Sequence, residues 1–139
     1  MFDANTKFLV VDDFATMRKI VKKALFELGY TNVVEAVDGK NALDTLNEAI
    51  EKNEHFHFII SDWSMPKMLG IELLKACKQS PQLRNIPFVL VTAESEQAQI
   101  VEAVKAGVSE YVVKPFSAQI LKAKIEKVYQ KHIVEKKAV

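Results

Sequence analysis

Cysteine, net charge and long apolar runs are all scarce in this chain. Cys77 is the single cysteine among 139 residues, so no internal disulfide can form, which favours a reducing cytoplasm. The formal net charge is +1, which argues against a nucleic-acid binder or a membrane-surface protein. No apolar run approaches the about 20 residues of a membrane helix, and the N-terminus lacks the basic start and apolar stretch of a signal peptide. We therefore expect a cytoplasmic protein.

The length and the apolar content predict a single domain over residues 1–139. Of these residues 49% are hydrophobic, which is enough to bury a substantial core. Cys77 lies in a helical pattern near Leu73 and Leu74, which predicts a buried, inert thiol. The last residues, 135–139, resemble a frayed tail.

Apolar runs alternate with helical patterns five times along the chain. The runs predict strands at 8–11, 33–36, 56–60, 88–91 and 111–113. The helical patterns predict a first helix from Met17 to Leu28, ended by Gly29, and further helices around 43–50, 71–78, 100–106 and 117–131. The first, third and fourth runs are continuously apolar, as in strands that are covered on both faces. The pattern therefore predicts an α/β fold with a doubly wound parallel sheet and helices on each side.

Polar side chains stand where four of these five strands end. Asp12 and Asp13 close the first strand, Asp62 closes the third, Thr92 follows the fourth and Lys114 follows the fifth. In doubly wound sheets, ligands bind beyond the carboxyl ends of the strands. Chance could place any one of these residues there, but not readily all of them. We therefore expect a functional site at this edge of the sheet, which we call the carboxyl edge.

Three carboxylates at one edge are unfavourable unless positive charge lies among them. A carboxylate site without His or Cys ligands favours a hard cation, so we expect Mg²⁺. A carboxylate can also attack phosphorus, and that transfer mainly requires neutralisation of the phosphoryl oxygens. Asp62 is the candidate nucleophile, and Asp12 and Asp13 would hold the metal. Lys114 would supply a second positive charge, and Thr92 a hydroxyl hydrogen bond.

A zinc site is the alternative metal centre. His55 and His57 precede Asp62, but no third ligand with suitable spacing accompanies them. His132 lies in the terminal helical pattern and is expected to be exposed. We therefore favour Mg²⁺.

Four short motifs carry a resemblance to a known family. They are Val10-Val11-Asp12-Asp13, Ser61-Asp62-Trp63-Ser64-Met65-Pro66, Val91-Thr92-Ala93 and Val113-Lys114-Pro115-Phe116. With them the chain resembles the receiver domain of bacterial two-component response regulators, with a core over residues 6–131. Within that family it looks most like the single-domain chemotaxis regulators, through the run from Phe14 to Arg18, Trp63 and Tyr111. The resemblance implies a flavodoxin-like fold with strand order 2-1-3-4-5.

The resemblance implies a phosphoryl-accepting signalling switch and not an enzyme, with only self-phosphorylation and self-dephosphorylation chemistry. Asp62 would accept the phosphoryl group from the histidine of a CheA-type kinase. Mg²⁺ would be bound by Asp13, by Asp62 and by the backbone carbonyl of Ser64, with Asp12 acting mostly through water. Lys114 would pair with the phosphoryl group, and the Lys114-Pro115 bond would be cis.

The resemblance also implies a response at a distance from Asp62. Thr92 would move toward the phosphate and Tyr111 would turn inward behind it, which shifts the population of conformations. The face formed by the fourth helix, the fifth strand and the fifth helix, here called the switch face, would then bind the flagellar motor switch protein. We expect the chain to act as a monomer. The residues at the matching positions of the switch face are Ile100, Tyr111, Val113, Phe116, Lys124 and Lys127.

Several positions depart from the family pattern. Leu69 stands where the family usually has Asp before a glycine, in the run Met65-Pro66-Lys67-Met68-Leu69-Gly70, which predicts altered loop packing without loss of phosphorylation. Ser64 and Glu94 are expected to influence the lifetime of the phosphoryl group, so that lifetime and the response to a CheZ-type phosphatase stay open. The segment 49–57 is longer and more charged than in similar chains, and it has no assigned role.

Three other functions compete with the switch. A Mg²⁺-dependent phosphatase of the haloacid dehalogenase type needs two first-strand aspartates that are one residue apart, whereas Asp12 and Asp13 are adjacent. A flavodoxin-like cofactor binder needs a phosphate cradle, but the turn from Asp12 to Ala15 is acidic and lacks glycine. The rival within the receiver class is a phosphate sink or phosphorelay intermediate that does not bind the motor.

Overall fold

The structure, a computed structural model, describes residues 2–93 and 97–137. Strands and helices alternate through these residues, as the apolar pattern predicted. In chain order the elements are β1 (Phe8–Val11), α1 (Ala15–Glu27), β2 (Val33–Ala36), α2 (Gly39–Glu51), β3 (Phe58–Asp62), α3 (Gly70–Gln79), β4 (Phe88–Thr92), α4 (Gln97–Lys105), β5 (Glu110–Val113) and α5 (Ala118–Lys137).

The strands form one parallel sheet in the order β2-β1-β3-β4-β5, which confirms the predicted fold class and strand order. β3 lies at the centre, where Val11 of β1 pairs with Ser61 and Asp62 pairs with Val91 of β4. All residues of β1, β3 and β4 are buried. The apolar runs of these strands are continuous because the strands are covered on both faces.

The predicted start of the third strand was wrong. β3 begins at Phe58, because the pairing with β1 starts where Phe58 meets Phe8. Phe56 lies ahead of the strand and is buried in the core. Three other strand ends differ by one or two residues, since Asp62 and Thr92 are the last residues of their strands and β5 already begins at Glu110.

Two predicted helix boundaries also need correction. α5 continues to Lys137, so residues 135–137 are helical and not part of a frayed tail. α4 runs from Gln97 to Lys105 and ends one residue earlier than predicted. The segment 49–57 is divided between the end of α2 and a loop, in which Asn53 has a left-handed backbone conformation with φ of 57°.

The core lies on both faces of the sheet. Leu9, Val11 and Ile59 pack with α2 and α3 on one face. Phe8 and Phe58 pack with α1 and α5 on the other. Because successive residues of a strand point to opposite faces, one apolar run supplies both layers.

Two of the remaining predictions have clear outcomes. Cys77 is buried in the core, and burial raises the pKa of its thiol to about 12, which confirms an inert thiol. His132 is half-buried and its ring contacts Phe2, so the prediction of an exposed side chain was wrong. Among the described residues, no helix is both long and apolar enough to cross a membrane.

Candidate functional site

Asp12 stands where β1 ends against β2. Its backbone N–H donates to the carbonyl of Ala36, so the sheet holds the residue beyond the last pair of the strands. Its Oδ1 accepts a hydrogen bond of 2.9 Å from the backbone N–H of Phe14, which fixes the turn into α1. The Arg18 guanidinium, one turn into α1, donates to the Asp12 carbonyl at 2.7 Å. Asp12 is buried as a result, whereas the neighbouring Asp13 is exposed.

Asp62 is the last residue of the central strand. Its Oδ1 accepts a hydrogen bond of 2.9 Å from the backbone N–H of Trp63. The same N–H donates to the carbonyl of Val91, so β4 holds the turn that follows Asp62. A Cβ atom at Gly70 would collide with the backbone carbonyl oxygen of Asp62. The start of α3 therefore packs directly behind the aspartate and leaves its carboxylate little freedom.

Lys114 follows β5 and reaches across β4 to both buried aspartates. Its backbone N–H donates to the carbonyl of Thr92 at 2.7 Å, and the Lys114-Pro115 bond is cis, as predicted. Its Nζ lies 3.1 Å from Asp62 Oδ1 and 3.7 Å from Asp12 Oδ2. One ammonium thus lies between two carboxylates. When both carboxylates are ionised, this ammonium balances only one of the two negative charges.

The three aspartates form a cluster suited to a hard cation. One carboxylate oxygen from each of Asp12, Asp13 and Asp62 can be chosen so that all three lie within 4.8 Å of one another. All donors are oxygens, which suits Mg²⁺ better than zinc. Within the described residues this is the single group of three such side chains, and His57 Nδ1 instead accepts from the backbone N–H of Lys7.

The electrostatics of this cluster also favour a cation. Burial raises the pKa of Asp12 and of Asp62 above their usual range, and neighbouring aspartates raise both pKa values further. Lys114 and the backbone hydrogen bonds lower these pKa values without reversing the shift. The ionised cluster is therefore unfavourable by itself, and a bound cation would relieve it.

Thr92 and Tyr111 border one narrow apolar crevice beside the cluster. Thr92 is buried at the end of β4, and Tyr111 is half-buried on β5. The sheet places the two strands side by side, with Leu90 paired to Tyr111 and Thr92 paired to Val113. A movement of one of these side chains would therefore change the space that is open to the other. The residues that line the crevice are Trp63, Leu90, Thr92, Gln99, Ile100, Ala103 and Tyr111.

The predicted switch face is contiguous with this crevice. Ile100 of α4 and Val113 of β5 are half-buried, and Phe116 packs against the core on the side of α5. Lys124 is half-buried on α5, and Lys127 is exposed one turn further along. The structure thus places these side chains on neighbouring elements, while their role in partner binding stays a prediction.

The positions that depart from the family pattern lie in two loops. Ser64 is exposed two residues after Asp62. Leu69 precedes α3 without a side-chain oxygen that could cap the helix, but Glu72 accepts a 2.9 Å hydrogen bond from its backbone N–H. The altered loop packing expected from Leu69 stays a prediction. Glu94 lies outside the described residues.

Sequence reasoning missed two residues near these sites. Arg18 was read only as part of a motif, although it also pairs with Glu35 at 3.0 Å. Glu110 was not singled out, although it is a buried carboxylate next to Tyr111. Its signal was a charged residue at the start of an apolar strand, where burial requires a partner.

Comparisons with known proteins agree with this geometry. The family model of the response regulator receiver domain matches residues 8–126. Chemotaxis protein CheY of Pseudomonas aeruginosa is 50% identical over 125 residues, which cover 90% of this chain and 97% of the relative. Chemotaxis protein CheY-3 of Vibrio cholerae is 45% identical over 131 residues, which cover 94% and 97% of the two chains.

Solved structures give the same result. The structure of chemotaxis protein CheY4 of Vibrio cholerae superposes with a TM-score of 0.79 at 33% identity and covers 89% of this chain and 98% of its own. Sequence, topology and the acidic cluster therefore point to one family. The chain belongs to the response regulator receiver domain family, and within it to the CheY type.

Proposed function

We propose that this chain is the single-domain response regulator of a two-component chemotaxis system. In this proposal Asp62 accepts a phosphoryl group from a CheA-type histidine kinase, and the modified chain changes its binding to the flagellar motor switch protein. The observation that carries the proposal is the position of Asp62, whose buried carboxylate ends the central strand 3.1 Å from Lys114 within the acidic cluster.

The transfer needs little from the protein beyond position and charge. A carboxylate oxygen of Asp62 forms a bond to phosphorus while the bond from phosphorus to the kinase histidine nitrogen breaks, and that nitrogen takes up a proton. Asp62 Oδ1 faces Lys114, so the ammonium is placed to balance the charge on the phosphoryl oxygens. Thr92, buried at the end of β4, would supply a hydroxyl hydrogen bond to the same group.

Mg²⁺ is the proposed cofactor. Asp12, Asp13 and Asp62 would hold it together with the backbone carbonyl of Ser64, and their clustered carboxylate oxygens support this choice. The ion would act as a Lewis acid on the phosphoryl oxygens. The protein contributes the placement of the ligands, since the backbone hydrogen bonds to Phe14 and Trp63 orient the two buried carboxylates.

Labelling by a small phosphodonor tests the acceptor. With Mg²⁺ and acetyl phosphate, we expect intact-mass spectrometry to detect one phosphoryl group on the wild-type chain and none on Asp62→Asn. Asp44→Asn, which changes an exposed aspartate on α2, is the matched control and should label like the wild type. Equal labelling of the wild type and Asp62→Asn would exclude Asp62 as the acceptor.

Partner binding separates the motor switch from the phosphate sink or phosphorelay intermediate. We expect a motor-switch peptide to bind more tightly when a beryllofluoride phosphoryl mimic and Mg²⁺ are present, as measured by titration calorimetry. Asp62→Asn, which cannot take the mimic in this scheme, should bind equally with and without it. Binding that never depends on the mimic in the wild type would favour the sink or relay.

The proposal has further parts, which rest on the sequence composition and on the resemblance. They include a single domain with its core over residues 6–131, a monomeric state, a cytoplasmic location and the absence of chemistry beyond self-phosphorylation and self-dephosphorylation. The lifetime of the phosphoryl group is proposed to depend on Ser64 and Glu94. Its decay in the presence of a CheZ-type phosphatase, followed for Ser64→Asn and the wild type, would measure that dependence.

A further inference from the structure

A buried carboxylate outside the acidic cluster lies at the contact between β5 and α5. The side chain of Glu110 is 10% exposed, and its two oxygens face two different lysines of α5. Oε1 lies 3.1 Å from Lys124 Nζ, and Oε2 lies 3.5 Å from Lys131 Nζ. Because residues seven apart lie two turns apart on one helix face, the single carboxylate links β5 to a long stretch of α5.

The surroundings keep Glu110 ionised. Burial opposes ionisation, but the hydrogen bond and the charge of Lys124, with the charges of Lys131 and Lys127, outweigh it and lower the pKa of Glu110. Lys131 also donates to the carbonyl of Ser109 at 2.8 Å, which anchors that end of the contact. The pair of Glu110 with Lys124, in which neither side chain is more than 25% exposed, is screened by salt less than a surface pair.

Lys124 lies between Glu110 and Tyr111. Its Nζ is 5.1 Å from the centroid of the Tyr111 ring, within the range of a cation–π contact. The lysine side chain is 25% exposed, so the ammonium has exchanged part of its water for these two partners. Tyr111 follows Glu110 in β5, and the two neighbours therefore hold the same ammonium from one strand.

We propose that Glu110 is a positioning residue of the switch, which holds the Lys124 ammonium against the Tyr111 ring and thereby withholds both side chains from an acidic partner segment. This inference rests on the proposed function of the switch face. It assigns to Glu110 the role of an internal competitor, since its carboxylate occupies the position that a carboxylate of the partner would take on Lys124.

The competition follows from charge and geometry. If Tyr111 turns toward the crevice that it shares with Thr92, Lys124 loses the ring but keeps the carboxylate. Glu110 therefore favours the ring position seen here and opposes the movement. A partner carboxylate must also displace Glu110 before it can pair with Lys124, so removal of the Glu110 charge should ease both steps. Lys127 is exposed on α5 and adds positive charge that attracts an acidic segment.

A double-mutant cycle tests the contact without any phosphorylation. The ring resonances of Tyr111 are followed by NMR in the unphosphorylated full-length chain for Glu110→Gln, Lys124→Gln and the double variant. We expect each single variant to shift the ring signals, and the Glu110→Gln shift to be absent in the Lys124→Gln background, because Glu110 acts through Lys124. Glu126→Gln is the matched control, because it removes the same single negative charge from an exposed position on α5.

The outcomes of this cycle are decisive. Unchanged Tyr111 signals in Glu110→Gln, or equal shifts in Glu110→Gln and Glu126→Gln, would overturn the inference. So would a Glu110→Gln shift that persists in full when Lys124 is already Gln. If Glu110→Gln fails to fold, Glu110→Asp replaces it: its shorter carboxylate should release Lys124 and shift the Tyr111 signals, and no shift would overturn the inference.

Binding of an acidic motor-switch peptide tests the competition. We expect Glu110→Gln to tighten binding to the unphosphorylated chain by about 5-fold, which is the lower end of common allosteric couplings. Glu126→Gln should leave this binding unchanged, and unaltered or weaker binding by Glu110→Gln would contradict the competition. If no variant binds the peptide even with the phosphoryl mimic, the motor proposal fails, whereas the Tyr111 signals still decide the contact.

Discussion

The acidic cluster at the carboxyl edge and the contact of Glu110 with α5 both join buried carboxylate to lysine, but they differ in the sign of their excess charge. At the carboxyl edge, Asp12 and Asp62 share the single ammonium of Lys114. At the contact of β5 and α5, the single carboxylate of Glu110 is shared by Lys124 and Lys131. The pKa values of the two aspartates are raised, whereas the pKa of Glu110 is lowered.

The difference distinguishes a ligand site from a permanent contact. The aspartate cluster keeps unbalanced negative charge, so its ionised form gains from a cation. The Glu110 cluster has more lysine than carboxylate and stays ionised without any ligand. Burial of a carboxylate alone therefore does not identify a binding site in this protein, because both clusters contain buried carboxylates. The balance of charges within each cluster does.

The largest expected difference between the two clusters is their response to Mg²⁺, which should stabilise the protein through the acidic cluster alone. We expect Mg²⁺ at 100 times its dissociation constant to raise the free energy of unfolding of the wild type by about 2.7 kcal/mol, because the ion binds only the folded cluster. Urea unfolding with and without Mg²⁺ measures this gain. Asp13→Asn should lose most of it, and Asp44→Asn and Glu110→Gln should keep it. A full gain in Asp13→Asn would exclude the acidic cluster as the binding site.

Neutralising one carboxylate should have opposite effects in the two clusters. In chelator at pH 7, Glu110→Gln should lower the free energy of unfolding by about 1.5 kcal/mol, because a charged hydrogen bond is lost. Asp12→Asn should raise it by about 1 kcal/mol, because like charge is removed while the acceptor for the Phe14 N–H is kept. Urea unfolding of both variants measures these changes. Equal signs for the two variants would remove the distinction between the clusters.

The pH dependence should reverse between the clusters. Because the pKa of Glu110 is lowered on folding, its stabilisation is complete above the unfolded value of about 4.3 and is lost as the pH falls through the folded pKa. For Asp12 and Asp62 the folded pKa is raised, so stability is lost as the pH rises from about 3.9 through the folded pKa.

Unfolding by urea between pH 3 and pH 7 in chelator tests this reversal. The deficit of Glu110→Gln and the gain of Asp12→Asn should both be present at neutral pH, and both should shrink toward acidic pH. A difference that does not change with pH would show that the side chain acts by packing and not by charge.

The smallest expected effect concerns the loop beside the acidic cluster. Leu69→Asn should raise the free energy of unfolding by about 0.5–1 kcal/mol, because an Asn side chain can cap the N-terminus of α3, which Leu69 cannot. Leu69→Ala is the matched control and should lack this gain. Labelling of Asp62 should be unchanged in both variants. Equal stability of Leu69→Asn and Leu69→Ala would show that the Glu72 contact already satisfies the helix start.

Much of the fold was predictable because its signals are local. The continuous apolar runs at 8–11 and 88–91 indicated strands covered on both faces. The polar residues directly after such runs indicated one edge of a parallel sheet. Boundaries were less predictable, since β3 begins at Phe58 only because that residue is the first to meet Phe8. α5 extends to Lys137 although the final residues carry no strong apolar period.

The amino-acid sequence by itself determined the α/β fold and the residues of the acidic cluster, because strand periodicity and strand ends are properties of neighbouring residues. Only the tertiary structure decided which lysines pair with which buried carboxylates. It placed one lysine between Asp12 and Asp62, and it placed two lysines of α5 around Glu110. These partners are distant in sequence, and their pairing depends on how each helix packs against the sheet, which no local pattern encodes.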